Sequence, residues 1–237
     1  MKNNFLNIYG ELLIHDFGAI FQNIKSSIEL SSYFLNKPKE IKNFVEIINR
    51  QVIRGLQLIS NVQNLSRGDE SKKNIQPVDV RNVLKVAIYF IESSFQESNL
   101  KIVLNYFLPN VSPSDRIYVQ ANNLLQNVFE NILFNAINYN KSPNVEISVK
   151  ISKEELNHIQ FIRLDFIDNG IGVSNARKKI IFQKGYEKHK GGKGMGFGLS
   201  LVKKVIESYN GYIWVEDKVK GDYTEGSNFV ILLPEAH

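Results

Sequence analysis

The chain has no cysteine among its 237 residues. Disulfides and thiolate metal centres are therefore excluded, which fits a reducing compartment. Proline is scarce, at 6 residues, and glycine stands at 15, so collagen-like and low-complexity classes are excluded too. Long apolar runs are missing. Stretches such as 87–91 and 229–233 fall far short of the roughly 20 residues that a membrane-spanning helix needs. The opening Met1-Lys2-Asn3-Asn4-Phe5-Leu6 lacks the apolar stretch of a secretory leader. No block of five or six like charges occurs, and the net charge of +5, from 29 basic and 24 acidic residues, is dispersed. Nucleic-acid binding has little support on that pattern. The expectation is a soluble, cytoplasmic chain without a membrane segment, whether whole or part of a longer protein. Its 43% hydrophobic content suffices for one or two domains with cores of their own.

Residues 1–67 read as one domain. They contain a single proline, Pro38, placed to end one long helix near Asn36-Lys37 and to begin a second. On the second helix Ile41, Val45, Ile48, Val52, Gly55, Ile59 and Val62 alternate spacings of four and three, a coiled-coil seam with one glycine gap. On the first, Leu13, Phe17, Ile20, Ile24, Ile28 and Leu35 form one stripe. A hairpin this long cannot bury both stripes alone, so the expected form is a four-helix bundle across a homodimer axis. The polar stretch 66–74 reads as a linker. Beyond it, residues 75–237 read as a second domain. Helices are expected at 80–98, 122–139 and 199–209, with strands at 101–107, 116–120, 145–151, 159–167, 212–219 and 228–233. Helices between groups of largely antiparallel strands imply a two-layer α/β sandwich.

Three segments of the second domain carry chemistry. Asn131 and Asn135 lie four apart on an expected helix and share a face, where amides can ligate Mg²⁺ or bond phosphate oxygens. Alone, two helix asparagines fit a pair of solvated amides better. Next, Asp165-Phe166-Ile167-Asp168-Asn169-Gly170-Ile171-Gly172 runs from an apolar strand into an acid and two glycines. A strand-end carboxylate can accept from an exocyclic amine, and glycine lets backbone approach a flat base. The same letters also describe an ordinary tight turn. Third, Gly191-Gly192-Lys193-Gly194-Met195-Gly196-Phe197-Gly198-Leu199 leads into an amphipathic helix. Bare backbone N–H groups and a helix N-terminus there suit phosphate, although a glycine-rich loop by itself is also a plain linker.

In this order the three segments resemble the N, G1 and G2 boxes of the GHKL ATPase superfamily. Ile181-Phe182-Gln183-Lys184-Gly185-Tyr186 resembles the F box of its histidine kinase branch. Tyr209-Asn210-Gly211-Tyr212-Ile213-Trp214-Val215 and Gly226-Ser227-Asn228-Phe229 are similar to that branch's closing strands. The resemblance spans residues 78–234. It implies an α+β chain in which the hairpin forms a dimeric four-helix bundle, followed by a Bergerat-type α/β sandwich that binds ATP and Mg²⁺. It further implies that Asn135 coordinates Mg²⁺, Asp168 meets the adenine amine, and Tyr139 lies against the base. Gly170, Gly172, Lys184, Tyr186, Gly194, Met195, Gly196, Phe197, Gly198 and Leu199 would complete the ATP site. Residues 182–193, from Phe182 to Lys193, would form a lid over the phosphates.

Hydrolases of the superfamily, such as gyrase and MutL, carry Glu where this chain has Asn131. An amide cannot take a proton from water, so Asn131 favours transfer to another nucleophile. Glu130 is adjacent, but one residue turns a helix by roughly 100°, which points it elsewhere. The branch usually has Lys or Arg at the position of Asn138, reaching toward phosphate. Asn138 cannot supply that charge, and Lys141, Lys184 or Lys193 are the candidates to replace it.

His15-Asp16 on the first helix is expected nearly half a turn from the apolar stripe, hence facing solvent. An imidazole is a competent nucleophile near neutral pH, and the adjacent acid can hold its tautomer. The pair resembles the H box of histidine kinase dimerisation domains, which implies phosphorylation of His15 and onward transfer to a response-regulator receiver domain. Positions three to five after the His are Gly18, Ala19 and Ile20 rather than the usual Arg, Thr or Asn, and Pro. Ala19 in particular puts dephosphorylation of the partner in doubt. His158, His189 and His237 are weaker acceptors. A GHKL serine/threonine kinase and a degenerate, non-enzymatic scaffold remain the alternative readings.

Overall fold

A computed structural model describes residues 2–66, 74–95, 100–107, 116–183 and 198–236. The hairpin expected from Pro38 is present. Helix α1 spans Lys2–Ser31, a 3₁₀ turn spans Ser32–Phe34, and α2 spans Pro38–Ser66. The Lys37 N–H donates to the Phe34 carbonyl at 2.7 Å, which closes the turn between the helices. The glycine gap in the second helix marks where α1 comes close. A Cβ on Gly55 would lie 4.0 Å from Cγ2 of Ile20, itself only 2% exposed.

Within one chain the expected stripes stay partly uncovered. Val45, Val52 and Ile59 of the α2 stripe are exposed, while α2 buries Ile53 and Leu58, which lie off that stripe. On α1, Ile28 is exposed, and Leu35 lies exposed beyond the helix end. Ile53 is covered by a third neighbour. Ile53 joins the apolar core of the second domain, and Asn49 Nδ2 donates to the Ser94 carbonyl at 2.8 Å, so one side of α2 faces that domain. What remains uncovered is regular. Ile14, Phe21, Ile28 and Leu35 are seven apart and exposed, as are Val45, Val52 and Ile59. Among the described residues no helix is long and apolar enough to cross a membrane.

The second domain is a sheet under a layer of helices. Strand β1 (Gln76–Asp79), not expected from the sequence, pairs antiparallel with β3 (Tyr118–Ala121) in a two-stranded ribbon. Its Asp79 caps helix α3 (Val80–Ser94), with the Arg81 N–H donating to Oδ1 at 3.1 Å. The main sheet comprises β2 (Leu100–Phe107), β4 (Val145–Leu156), β5 (Ile159–Asp168), β6 (Tyr212–Val219) and β7 (Asp222–Pro234), in the order β2-β4-β5-β7-β6. It is antiparallel except for β2 against β4, which run parallel because β3 and α4 (Leu124–Asn138) lie between them along the chain. The β4–β5 hairpin turns at Asn157 and His158, both with positive φ, so His158 sits in the turn before the strand.

Period-two alternation on β5 puts Ile162, Leu164 and Phe166 on the helix side, each at most 2% exposed. They pack beneath α4, whose Leu125, Phe129, Ile132 and Leu133 are sealed from solvent. Helix α6 (Gly198–Ser208) buries Leu201, Val202, Val205 and Ile206 against the same layer. Its last turn is tied to the start of α4 by the Tyr209 hydroxyl, which donates to Asn122 Oδ1. Burial pushes that hydroxyl's pKa upward. The one-turn helix α5 (Asn175–Lys178) follows β5.

A cleft at the end of strand β5

The alternation that buries Ile162, Leu164 and Phe166 also aims Asp168, the last residue of β5, at the helix layer, and Asp168 is 5% exposed. Its Oδ1 accepts from the Gly170 N–H at 2.7 Å and the Ser227 N–H at 3.3 Å, which leaves Oδ2 for a ligand. Burial raises the carboxyl above its ordinary value, against the lowering effect of those two N–H groups and of Lys218. The turn after Asp168 is locked by glycine. Gly172 has φ +64°, and a Cβ there would fall 1.6 Å from the Tyr223 carbonyl oxygen. Gly226 has φ +125°, and a Cβ there would meet the Asp168 carbonyl oxygen at 2.1 Å, so only a bare backbone brings β7 alongside Asp168.

Helix α4 is fastened to this turn. The Ile171 N–H donates to the Tyr139 carbonyl at 3.0 Å, and Asn140 Nδ2 donates to Asn169 Oδ1 at 2.6 Å. Asn169 also accepts from the Glu146 N–H and donates to the Asn144 carbonyl, which joins the loop after α4 to the start of β4.

These elements enclose a cleft of about 560 Å³ including its open mouth, lined among others by Asn135, Tyr139, Asp168, Gly172, Arg177 and Leu199. Its walls are mainly apolar, from Ala136, Ile171, Val173, Ile181 and Phe229, with a carboxylate, an amide and a guanidinium among them. A flat heteroaromatic group with an amine on its edge fits such a lining.

The structure thus brings Asn135, Tyr139, Asp168, Gly172 and Leu199 together, as the sequence led us to expect. Gly170 stands immediately behind, donating to Asp168. Other expected site residues stand outside this cleft. Asn131 does not line the cleft. It is buried, its Nδ2 donates to the Asn127 carbonyl at 2.8 Å, and its Oδ1 faces Gly198, 3.1 Å from where a Cβ would stand. Asn138 is exposed at the end of α4 and does not line the cleft either, nor does the exposed Lys141. Phe182, at the start of the expected lid, is half-buried and packs edge-on against Phe229 with ring centroids 6.3 Å apart. Lys184, Tyr186, Lys193, Gly194, Met195, Gly196 and Phe197 lie outside the described residues, as do His189 and His237. His15 and Asp16 fall within α1, but their side chains lie outside the described ones. Glu130 accepts from Gln126 Nε2 at 2.7 Å and is raised in pKa by burial; it does not line the cleft.

Val173 and Arg177 are lining residues that sequence reasoning missed, and no motif marks either. Ala136, Ile171, Ile181, Ser227 and Phe229 stand in the segments that carry the resemblance but were not expected as lining.

Residues 120–237 match the family described as histidine kinase-, DNA gyrase B-, and HSP90-like ATPase. The chain is 26% identical over 247 residues to the sensor protein RprX of Bacteroides fragilis, covering 99% of this chain and 44% of that protein. It is 27% identical over 184 residues to the adaptive-response sensory kinase SasA of Synechocystis sp., covering 75% of this chain and 44% of that one. The chain therefore spans less than half the length of these relatives. Among solved structures, the Acinetobacter baumannii histidine kinase AdeS superposes with a TM-score of 0.56 at 18% identity, covering 94% of this chain and 98% of that one. Full-length ShkA in complex with AMPPNP superposes with a TM-score of 0.57 at 18% identity, covering 84% of this chain and 39% of that one. At such identity these two establish a shared fold. Through residues 120–237 the chain belongs to the histidine kinase-, DNA gyrase B- and HSP90-like ATPase family, and its relatives along the chain place it with the catalytic cores of sensor histidine kinases.

Proposed function

We propose that this chain is an ATP-dependent protein-histidine kinase that autophosphorylates His15 and passes the phosphoryl group to an aspartate of a response-regulator receiver domain. The observation that carries this reading is the meeting of Asp168, Asn135 and the start of α6 around one apolar cleft. Asp168 Oδ2 accepts the exocyclic amine of adenine, while Ile171, Val173, Ile181 and Phe229 cover the faces of the base. The triphosphate extends past Asn135 toward Gly198, where the helix N-terminus favours an anion.

A Mg²⁺ ion would be held by the Asn135 amide oxygen and phosphate oxygens, and it would neutralise charge developing on the γ-phosphoryl group. Asn131, facing Gly198, offers an amide to the phosphate-binding backbone and no base for water. The γ-phosphorus–oxygen bond to ADP breaks as the His15 imidazole bonds to phosphorus, and Asp16 receives or holds the imidazole proton. The division into a dimerisation hairpin over 1–67 and a catalytic domain over 75–237 belongs to this reading, as does pairing of two hairpins through the exposed heptad stripes.

Incubation with γ-labelled ATP is expected to give an acid-labile, base-stable phosphoprotein that His15→Gln abolishes. Equal labelling of the His15→Gln chain, or an acid-stable label, refutes the assignment.

A further inference from the structure

The cleft contains a cation that the assigned motifs do not explain. Arg177 lines it, half-buried, alongside Asp168, Gly172 and Val173. Arg177 and Ile181 are four residues apart, and both line the cleft with Val173. The Ile181 N–H donates to the Arg177 carbonyl at 3.0 Å, which continues the turn and stacks the two side chains on one face.

The next residue faces the other way. Lys178 Nζ donates to Asn175 Oδ1 at 2.7 Å and pairs with Asp217 Oδ1 of β6 at 2.5 Å, with side chains only 18% and 12% exposed. A part-buried ion pair of that kind pins α5 to the sheet. With α5 pinned on its Lys178 side, the neighbouring side chain, rotated by roughly 100°, is held toward the cleft. Arg177 is also the one basic side chain among the described residues lining it.

Building on the ATP-binding reading, we propose that Arg177 is a nucleotide-contacting residue at the base end of the cleft, where its guanidinium lies against the purine. The placement favours base over phosphate. Arg177 shares its face with Ile181, which covers the base in that reading, whereas the triphosphate runs toward Asn135 and Gly198. A guanidinium is planar, carries donors only, and stacks on aromatic faces in apolar surroundings. Among walls that are mainly apolar, it supplies a polar attraction to an electron-rich ring.

The test is competition of adenosine, AMP, ADP and ATP, without metal, against a fluorescent ATP analogue. Wild type is compared with Arg177→Met, which keeps the apolar stem. Arg177→Gln serves in its place if Arg177→Met lowers the thermal midpoint of the ligand-free chain. The expected result is a loss of about tenfold, nearly equal for all four ligands. Loss confined to ADP and ATP overturns the base-end assignment, because it moves the contact to phosphate. Unchanged affinity for all four overturns any contact. A wild-type chain that binds none of the four sinks the ATP-binding reading itself, and this inference with it.

Discussion

Replacing Asp168 by Asn isolates base recognition from folding. The carboxylate is 5% exposed and accepts two backbone N–H groups through Oδ1. An Asn in the same rotamer keeps an Oδ1 acceptor for Gly170 and Ser227. It also removes the burial cost that raises the Asp168 pKa. The loss of charge-assisted bonding and the gain from reduced desolvation oppose each other, so unfolding free energy should shift by no more than about 1 kcal/mol. Binding should respond very differently. Where Oδ2 accepted an amine, Asn presents an NH₂ donor to a donor. Losing one hydrogen bond to a charged group costs about 1.5–3 kcal/mol, or roughly tenfold to a hundredfold in Kd. Inosine triphosphate carries a carbonyl at that edge and should lose far less, so the preference for ATP over inosine triphosphate should collapse in Asp168→Asn. Titration calorimetry with both nucleotides, alongside urea melts, reads each part. An Asp168→Asn chain that binds ATP within twofold of wild type, or that loses both nucleotides equally, refutes the role of Oδ2 in reading the base.

Gly172→Ala should destabilise the chain by about 2–3 kcal/mol in urea melts, since a Cβ would stand 1.6 Å from the Tyr223 carbonyl oxygen at φ +64°; a change under 1 kcal/mol would contradict that geometry. ATP affinity should weaken as pH falls into a range above the ordinary carboxylate value of 3.8, because Asp168 is raised by burial and its protonated form cannot accept fully. The sign for stability is opposite: a raised folded pKa contributes stability at low pH that is lost as pH rises through the folded value, so Asp168→Asn should gain on wild type with rising pH. A flat affinity profile, or a stability difference independent of pH, would count against burial as the cause. Finally, the double change Val52→Asp with Ile59→Asp on the exposed heptad stripe should give a monomer in analytical ultracentrifugation with ATP affinity unchanged. A persistent dimer would place the interface elsewhere.

Local signals carried most of this fold. Pro38 placed the break between α1 and α2, and alternation along β5 put Asp168 at a strand end facing the helices. The order of the asparagine helix, the Asp168 turn and the segment leading into Gly198 foretold which elements meet. Less legible were features decided by long-range packing. Strand β1 is four residues long and pairs with β3 across forty residues, so no local period marks it. Heptad spacing on α2 shows that a face is apolar but not what covers it. Ile53 is covered by the second domain, and Val52 beside it is not. Asn131 and Asn135 are four apart on one helix, but Asn131 meets Gly198 at the start of α6 while Asn135 lines the cleft, a difference decided by what packs on α4 rather than by its period. Arg177 belongs to a four-residue helix whose inward side is set by the Lys178–Asp217 pair, a contact thirty-nine positions apart in sequence.

Because Ile53 is shared with the interior of the neighbouring domain, the long arm is not a lever swinging freely. Rolling it away from the ATP-binding unit lays bare a side chain whose exposure costs about 1.5–3 kcal/mol, and breaks the Asn49–Ser94 tether. A rotation of the arm against the sheet therefore meets a threshold rather than a slope.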